Sequence, residues 1–283
     1  MSEIVKNRYD FVFLFDVKDG NPNGDPDQVN LPRVDAEDQH GLVTDVCIKR
    51  KVRNFVMLEK RLKDPYDIFI RQEQVLNRII DSAQGDTIEA RKSSLCERFY
   101  DIRAFGAVLS VGEKGAGTVR GPVQFTFSRS EDRIYQAEHS ITRCAVTTEE
   151  EAKKQEKREF ASTFGRKSTV PYALYRMHGF ISAVDAAKTK FNEDDLKLLW
   201  KSLINAFEND RAAARGEMNP IKLVVFKHEH HLGNELSGRL FKRVVITKNN
   251  DLPRKIEDYT ITVDKSNPPT GIKIMSWPED NLY

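Results

Sequence analysis

Two groups of side chains have types and spacings suited to chemistry. Lys49, Arg50 and Arg53 stand in the stretch TDVCIKRKVRNFVMLEK. At 100° per residue they share one arc of a helix, opposite Ile48, Val52, Phe55 and Val56, with Lys51 toward the other flank. Three cations on one solvent-facing arc suit nucleic-acid phosphates, because backbone contacts need charge and no base readout. A plain solvated face has the same pattern. The run His228, Glu229, His230, His231 brings metal ligands to mind. On a strand, however, His228 and His230 face one side while Glu229 and His231 face the other, which leaves two donors per face. Chance clustering at a polar strand end is the better account. There is no GxSxG, P-loop or HExxH string, so ordinary hydrolase and NTPase chemistry has nothing to stand on.

The elements that must position these residues are legible in outline. Residues 8–17, RYDFVFLFDV, read as a strand stopped by the turn formers DGNPNGDPD. A loop then runs to Gly41, and Thr44 caps the basic helix with Asp45 in its first turn. Residues 61–95 form an inserted, partly helical excursion. Residues 95–109 read as another helix, containing Arg103. The glycines at 112, 115 and 117 precede a second strand, RGPVQFTFS, which begins at Arg120. Exposed amides of a glycine turn beside Arg120 suit a phosphate, although such a cluster is more often only a turn.

Residues 147–159 hold almost nothing apolar and read as a projection within a hairpin arm over 141–172. Phe164, Arg166 and Lys167 lie on that arm. Aromatic and basic neighbours suit base stacking with phosphate contact, and equally suit tucking the arm onto its own core or a neighbouring subunit. Asn192 caps a helix with the stripe Leu196, Leu199, Trp200, Leu203, Ile204 and Phe207. IKLVVFKHEH and LFKRVVIT read as strands, and YTITVD with GIKIMSW as a terminal hairpin. The order strand, helix, strand, strand, helix, strand predicts an α+β, ferredoxin-like fold with insertions, a layout that many RNA-binding domains share and that fixes no function by itself.

Composition limits the rest. With 45 basic against 43 acidic residues the formal charge is only +2, so any nucleic-acid site is local. Cys47, Cys96 and Cys144 are odd in number and widely spaced, against a disulfide framework or structural zinc. Without an apolar signal core or a run near the roughly 20 residues that cross a bilayer, the chain reads as cytoplasmic with no membrane partner.

NPNGDPD at 21–27, LPRVD at 31–35 and GLVTDVCIKRKVRN at 41–54 resemble the backbone subunit of type I-C CRISPR surveillance complexes, of the RAMP superfamily. The resemblance continues through DIRAFGAVLS, RGPVQF and FGRKSTVPYALYRMHGFIS and covers essentially the full length. It implies an RRM-like palm, a finger region at 61–95 and a thumb hairpin at 141–172, with copies polymerised along the guide RNA (crRNA). Guide bases are then presented to target DNA, with other Cascade subunits as partners. No cofactor is implied, and target cutting belongs to a separate recruited nuclease. The resemblance also strengthens Lys49, Arg50, Arg53, Arg103, Arg120, Phe164, Arg166 and Lys167 as RNA contacts. Related type III subunits cleave bound RNA with an acidic loop residue, so the acidic run Asp25, Asp27, Asp35, Glu37 and Asp38 carries the rival expectation of a metal-dependent ribonuclease. Asx-turn chemistry explains Asn23 to Pro26 as well.

Overall fold

The structure, a computed structural model, describes residues 2–110, 115–143, 145–146, 148–156 and 163–283. Strand β1 (Tyr9–Gly20) leads through the short β2 (Gly24–Asp25) and β3 (Leu31–Pro32) to β4 (His40–Val43) and helix α1 (Asp45–Lys60). Helices α2 (Leu76–Asp81), α3 (Ile88–Arg98) and α4 (Tyr100–Phe105) precede β5 (Gly106–Leu109), β6 (Gly117–Arg120), β7 (Val123–Phe125) and β8 (Ser128–Arg133). Next come β9 (Ala137–Arg143), α5 (Glu149–Glu156), β10 (Thr163–Ile181), α6 (Ala183–Thr189) and α7 (Glu193–Ile204). The chain then forms β11 (Glu217–His228), α8 (Ser237–Phe241), β12 (Val244–Lys248), β13 (Tyr259–Val263) and β14 (Ile272–Trp277).

The large sheet runs β14-β11-β1-β10-β8-β4, with β7 and β9 also paired to β10. Its central strand is apolar without alternation because both its faces are covered. Phe11, Phe13 and Phe15 face Ile48, Val52 and Val56 of α1 and Leu199, Trp200 and Leu203 of α7. The Phe11 and Trp200 rings meet edge to face at 5.1 Å. Phe11 reaches this packing only because Gly179 lies opposite: a Cβ there would come within 2.0 Å of the Phe11 ring. On the other face, Val12, Leu14, Leu174, Val224 and Phe226 pack against Leu240 and Phe241 of α8 and against Val244 and Tyr259 of the β12–β13 hairpin. A satellite core of Phe69, Ile80, Leu95, Cys96, Phe99, Ile102 and Leu109 holds the inserted segment together.

Helices α1 and α7 form where the apolar period places them. Thr44 caps α1, and Asn192 and Asp195 make a reciprocal capping box on α7. The arm is a continuation of the sheet. Thr163–Thr169 of β10 pair with β9, and beyond them Val170 pairs with Gly20 of β1.

Three expectations give way. The helix expected over 95–109 breaks at Phe99, whose φ of −102° and ψ of 116° are extended, and its end is strand β5. The strand expected at LFKRVVIT begins as α8. The terminal hairpin does not form: β13 pairs with β12, while β14 crosses back to the edge of the large sheet beside β11. Apolar residues of β13 complete the α8 layer, and Ile272 is needed at that edge; this non-local choice is invisible to local pattern.

One half-buried network ties sheet to layer. Arg176 donates through Nε to His178 Nε2 at 3.1 Å and through its terminal nitrogens to the carbonyls of Val244 and Phe241. The His178 ring stacks on Phe241 at 4.1 Å. Burial, together with the neighbouring Arg176 charge, holds the His178 pKa down at about 4. The unfolded chain therefore takes up this proton first, so the native state loses stability as the pH falls from about 6.5 toward 4, by up to about 3 kcal/mol. Denaturant titrations across this window should show that slope in the native chain and a flatter one in His178→Gln, which retains an acceptor for Arg176.

Candidate nucleic-acid interface

The loop that follows β1 fixes the start of α1. Asn23 Oδ1 accepts from both the amide and the hydroxyl of Thr44, each at 3.0 Å, and Thr44 in turn accepts from the Cys47 amide at 3.3 Å. The helix buries Ile48, Lys51, Val52, Phe55 and Val56.

The basic side is less free than the helical wheel implies. Arg50 is exposed. Lys49 donates to Asp45 at 2.9 Å, one turn earlier. Arg53 Nε donates to Asp101 at 2.7 Å. Asp101 is itself buried and accepts the Phe69 and Ile70 amides at 2.8 and 3.0 Å. Lys49 and Arg53 both lie over the Phe105 ring, at 5.8 and 5.4 Å from its centroid. Their charges are thus aligned on an aromatic platform and partly neutralised. Lys51 is buried against Asp210 and over Phe207.

Arg103 is a correction. Its side chain is 4% exposed and all five of its N–H groups are used. Nε and one Nη2 hydrogen go to Asp195, both at 2.8 Å, while the rest meet the carbonyls of Cys96 and Pro65. Nothing remains for a phosphate, and the residue is a structural tie. Arg120, in contrast, is 80% exposed, with one carboxylate, Asp185, at 3.4 Å.

On the arm, Arg166 pairs in register with Ser140 and Lys167 with His139. Consecutive strand residues face opposite sides, so the two cations do not share a face. Arg166 is 80% exposed and Lys167 half-buried. The backbone of Phe164 pairs with Thr142. Phe160 lies outside the described residues.

The acidic loop is held by arginines. Asp25 meets Arg33 at 3.5 Å; Arg129 bridges Asp35 and Asp38, the latter at 3.2 Å. The Arg129 hydrogen bond holds the Asp35 carboxyl below the usual range. His228 is buried at the end of β11: its Nδ1 accepts the Asn234 amide at 2.8 Å, which leaves Nε2 to donate to Asp10 at 3.0 Å. His230 and His231 lie beyond the strand in an exposed turn. Among the described residues, no three His, Cys, Asp or Glu side chains are grouped to hold a metal. Among them, too, no helix is long and apolar enough to cross a membrane.

The aromatic platform was missed in the sequence, although the i, i+4 spacing of Asp101 and Phe105 on one short helix was its available signal. The arginines opposing the acidic loop had no local signal.

A mixed α+β chain with helices packed on a large antiparallel sheet, and one strand prolonged into an arm, is the class these observations define. Over residues 7–264 the chain matches the family CRISPR-associated protein Cas7, and it belongs to that family. It is 22% identical over 265 residues to a CRISPR-associated protein Cas7 of Haloferax volcanii, covering 83% of this chain and 74% of the relative. Its fold is similar to a chain of a CRISPR RNA-guided surveillance complex in a pre-nicking state, with a TM-score of 0.51, 12% identity and coverage of 77% and 78% of the two chains.

Arg103→Ala strips a buried carboxylate of its partner and should cost about 3–5 kcal/mol. Arg50→Ala should stay within about 0.5 kcal/mol of the parent. Chemical denaturation of the two variants checks the contrast.

Proposed function

We propose that this chain is the guide-RNA-holding backbone subunit of a CRISPR surveillance complex, of the type I-C kind that its motif strings resemble. The carrying observation is membership of the Cas7 family over residues 7–264. In this reading β11, β1, β10 and β7/β8, with α1 and α7 on one face, form a ferredoxin-like, RRM-like palm. Residues 61–95 are the finger region and 141–172 the thumb. Copies stack along crRNA in the cytoplasm, leave guide bases free to pair with target DNA, and meet other subunits of the complex.

The palm does not bind RNA as an open sheet does. RRM domains stack bases on a bare sheet face, and here that face is covered by α8 and the β12–β13 hairpin. The grip is therefore assigned to the helix side and the arm: Arg50, Lys49 and Arg53 around Phe105, Arg120, and Arg166, Lys167 and Phe164. Lys49 reaches phosphate by exchanging Asp45 for it, while Arg53 keeps Asp101 and adds its charge to the platform. Such exchange is sequence-independent and salt-sensitive, as a guide-holding protein requires. In single-stranded RNA binding, Arg50→Ala with Arg166→Ala should lower affinity and reduce the magnitude of the log–log salt slope by about 1.4. An unchanged slope would count against this grip.

Holding without cutting is favoured by the acidic loop, whose Asp25, Asp35 and Asp38 already face arginines. Incubated with complementary RNA and Mg²⁺ or Mn²⁺, the assembled chain should leave the RNA intact. Cleavage abolished by Asp35→Ala would establish the ribonuclease instead.

A further inference from the structure

Helix α3, strand β6 and helix α6 enclose a cleft of about 470 Å³, lined by Glu89, Lys92, Ser93, Cys96, Thr118, Val119, Arg120, Lys188 and Thr189. Three features give it a chemistry. Lys92, Arg120 and Lys188 arrive from three different elements. Arg120 and Lys188 share a single carboxylate, Asp185, at 3.4 and 3.1 Å, and Lys92 has no ion-pair partner among the described residues. Among the described residues Glu89 is the one acid in the lining, and with Asp185 behind it three cations face two carboxylates. Thr189 is 2% exposed, and its buried hydroxyl has no hydrogen-bond partner. Thr189 lines the cleft, and a buried hydroxyl left without an acceptor costs stability until one meets it. Val119, half-buried against the satellite core, also lines the cleft.

We propose that this cleft takes one nucleotide of a bound RNA strand, its phosphate held by Lys92, Arg120 and Lys188 and a further oxygen of the nucleotide held by Thr189. The proposal rests on the reading of the chain as RNA-holding and adds a contact site at the inserted segment, on elements other than those of the arm.

Continuity with the α1 platform favours a nucleic-acid strand over an isolated anion. Gly121, next to Arg120, packs so tightly on the end of α4 that a Cβ there would lie 2.2 Å from the Phe105 carbonyl carbon. The Phe105 ring is the one that carries Lys49 and Arg53. The strand end that carries Arg120 is thus anchored on the helix that carries the Phe105 ring, so the cleft and the α1 cations belong to adjoining elements, as suits a strand with regularly spaced phosphates.

The test uses the full chain and a defined single-stranded RNA, titrated with salt, in three variants. Lys92→Ala with Lys188→Ala should lower affinity and reduce the magnitude of the salt slope by about 1.4. Thr189→Val, which replaces a hydroxyl that has no partner in the free protein, should keep the fold and the slope while weakening RNA binding about two- to tenfold. Arg50→Ala serves as the reference for the grip at α1. If Arg50→Ala weakens binding and the cleft variants do not, the cleft proposal is overturned and the RNA-holding reading stands. If the parent chain binds no RNA, the reading fails and the proposal with it. Inorganic phosphate and poly-glutamate are run alongside. Binding of either that the lysine variants abolish while RNA affinity stays unchanged would make the cleft a free-anion or protein-docking site and would equally overturn the proposal.

Discussion

A single guanidinium organises the junction on which the candidate interface depends. Arg103 binds the Asp195 carboxylate with two nitrogens, and Asp195 Oδ2 also accepts the Asn192 amide in the capping box of α7. The same guanidinium holds the carbonyls of Pro65 and Cys96. It therefore joins the start of a core helix, the segment after α1 and the end of α3. Two residues earlier, Asp101 joins Arg53 of α1 to the Phe69 and Ile70 amides. With α4 fixed by these two ties, Phe105 is presented under Lys49 and Arg53. Charges buried in this way bring little net stability, but breaking either partner of such a pair is costly, so geometry is what they enforce.

The second constraint is the closure of both faces of the large sheet. Helices α1 and α7 cover one face, and α8 with β12–β13 covers the other. On the proposed reading the RNA runs along the rim, where the loop after β1, the start of α1 and the root of the arm lie together. The pairing of Gly20 with Val170 places the root of the arm beside that loop. A formal charge of +2 is no obstacle to holding RNA there. Each copy needs only a few exposed cations when many copies engage one strand, because the later contacts are intramolecular.

How much of this was legible in the sequence follows from the range of each interaction. Helices α1 and α7 were, because their caps and apolar stripes lie within one segment. The pairing of β9 with β10 was, because a polar stretch between two strand-like runs has few alternatives. Arg103 was misread as a phosphate contact because its partner, Asp195, lies 92 residues away, and a helical wheel cannot report a distant carboxylate. Arg53 was expected on a solvent-facing arc, yet its side chain is only 12% exposed, held by Asp101 over the Phe105 ring, and neither partner shows in the local pattern. The terminal strands were paired with the wrong neighbours for a related reason. Local alternation marks a strand but not which edge it joins, and the choice between β12 and β14 as partner for β13 was made by the apolar layer around Phe241 and Tyr259.

The central claim is that copies of this chain hold one guide RNA along its length without cutting it. Purification of the untagged-length chain from its native host, followed by sizing and sequencing of the nucleic acid that accompanies it, tests that claim most directly. RNA of uniform length, with a constant repeat-derived portion and variable guides, is the result expected. Absence of RNA, or a broad ladder of fragments unrelated to any repeat, would contradict it.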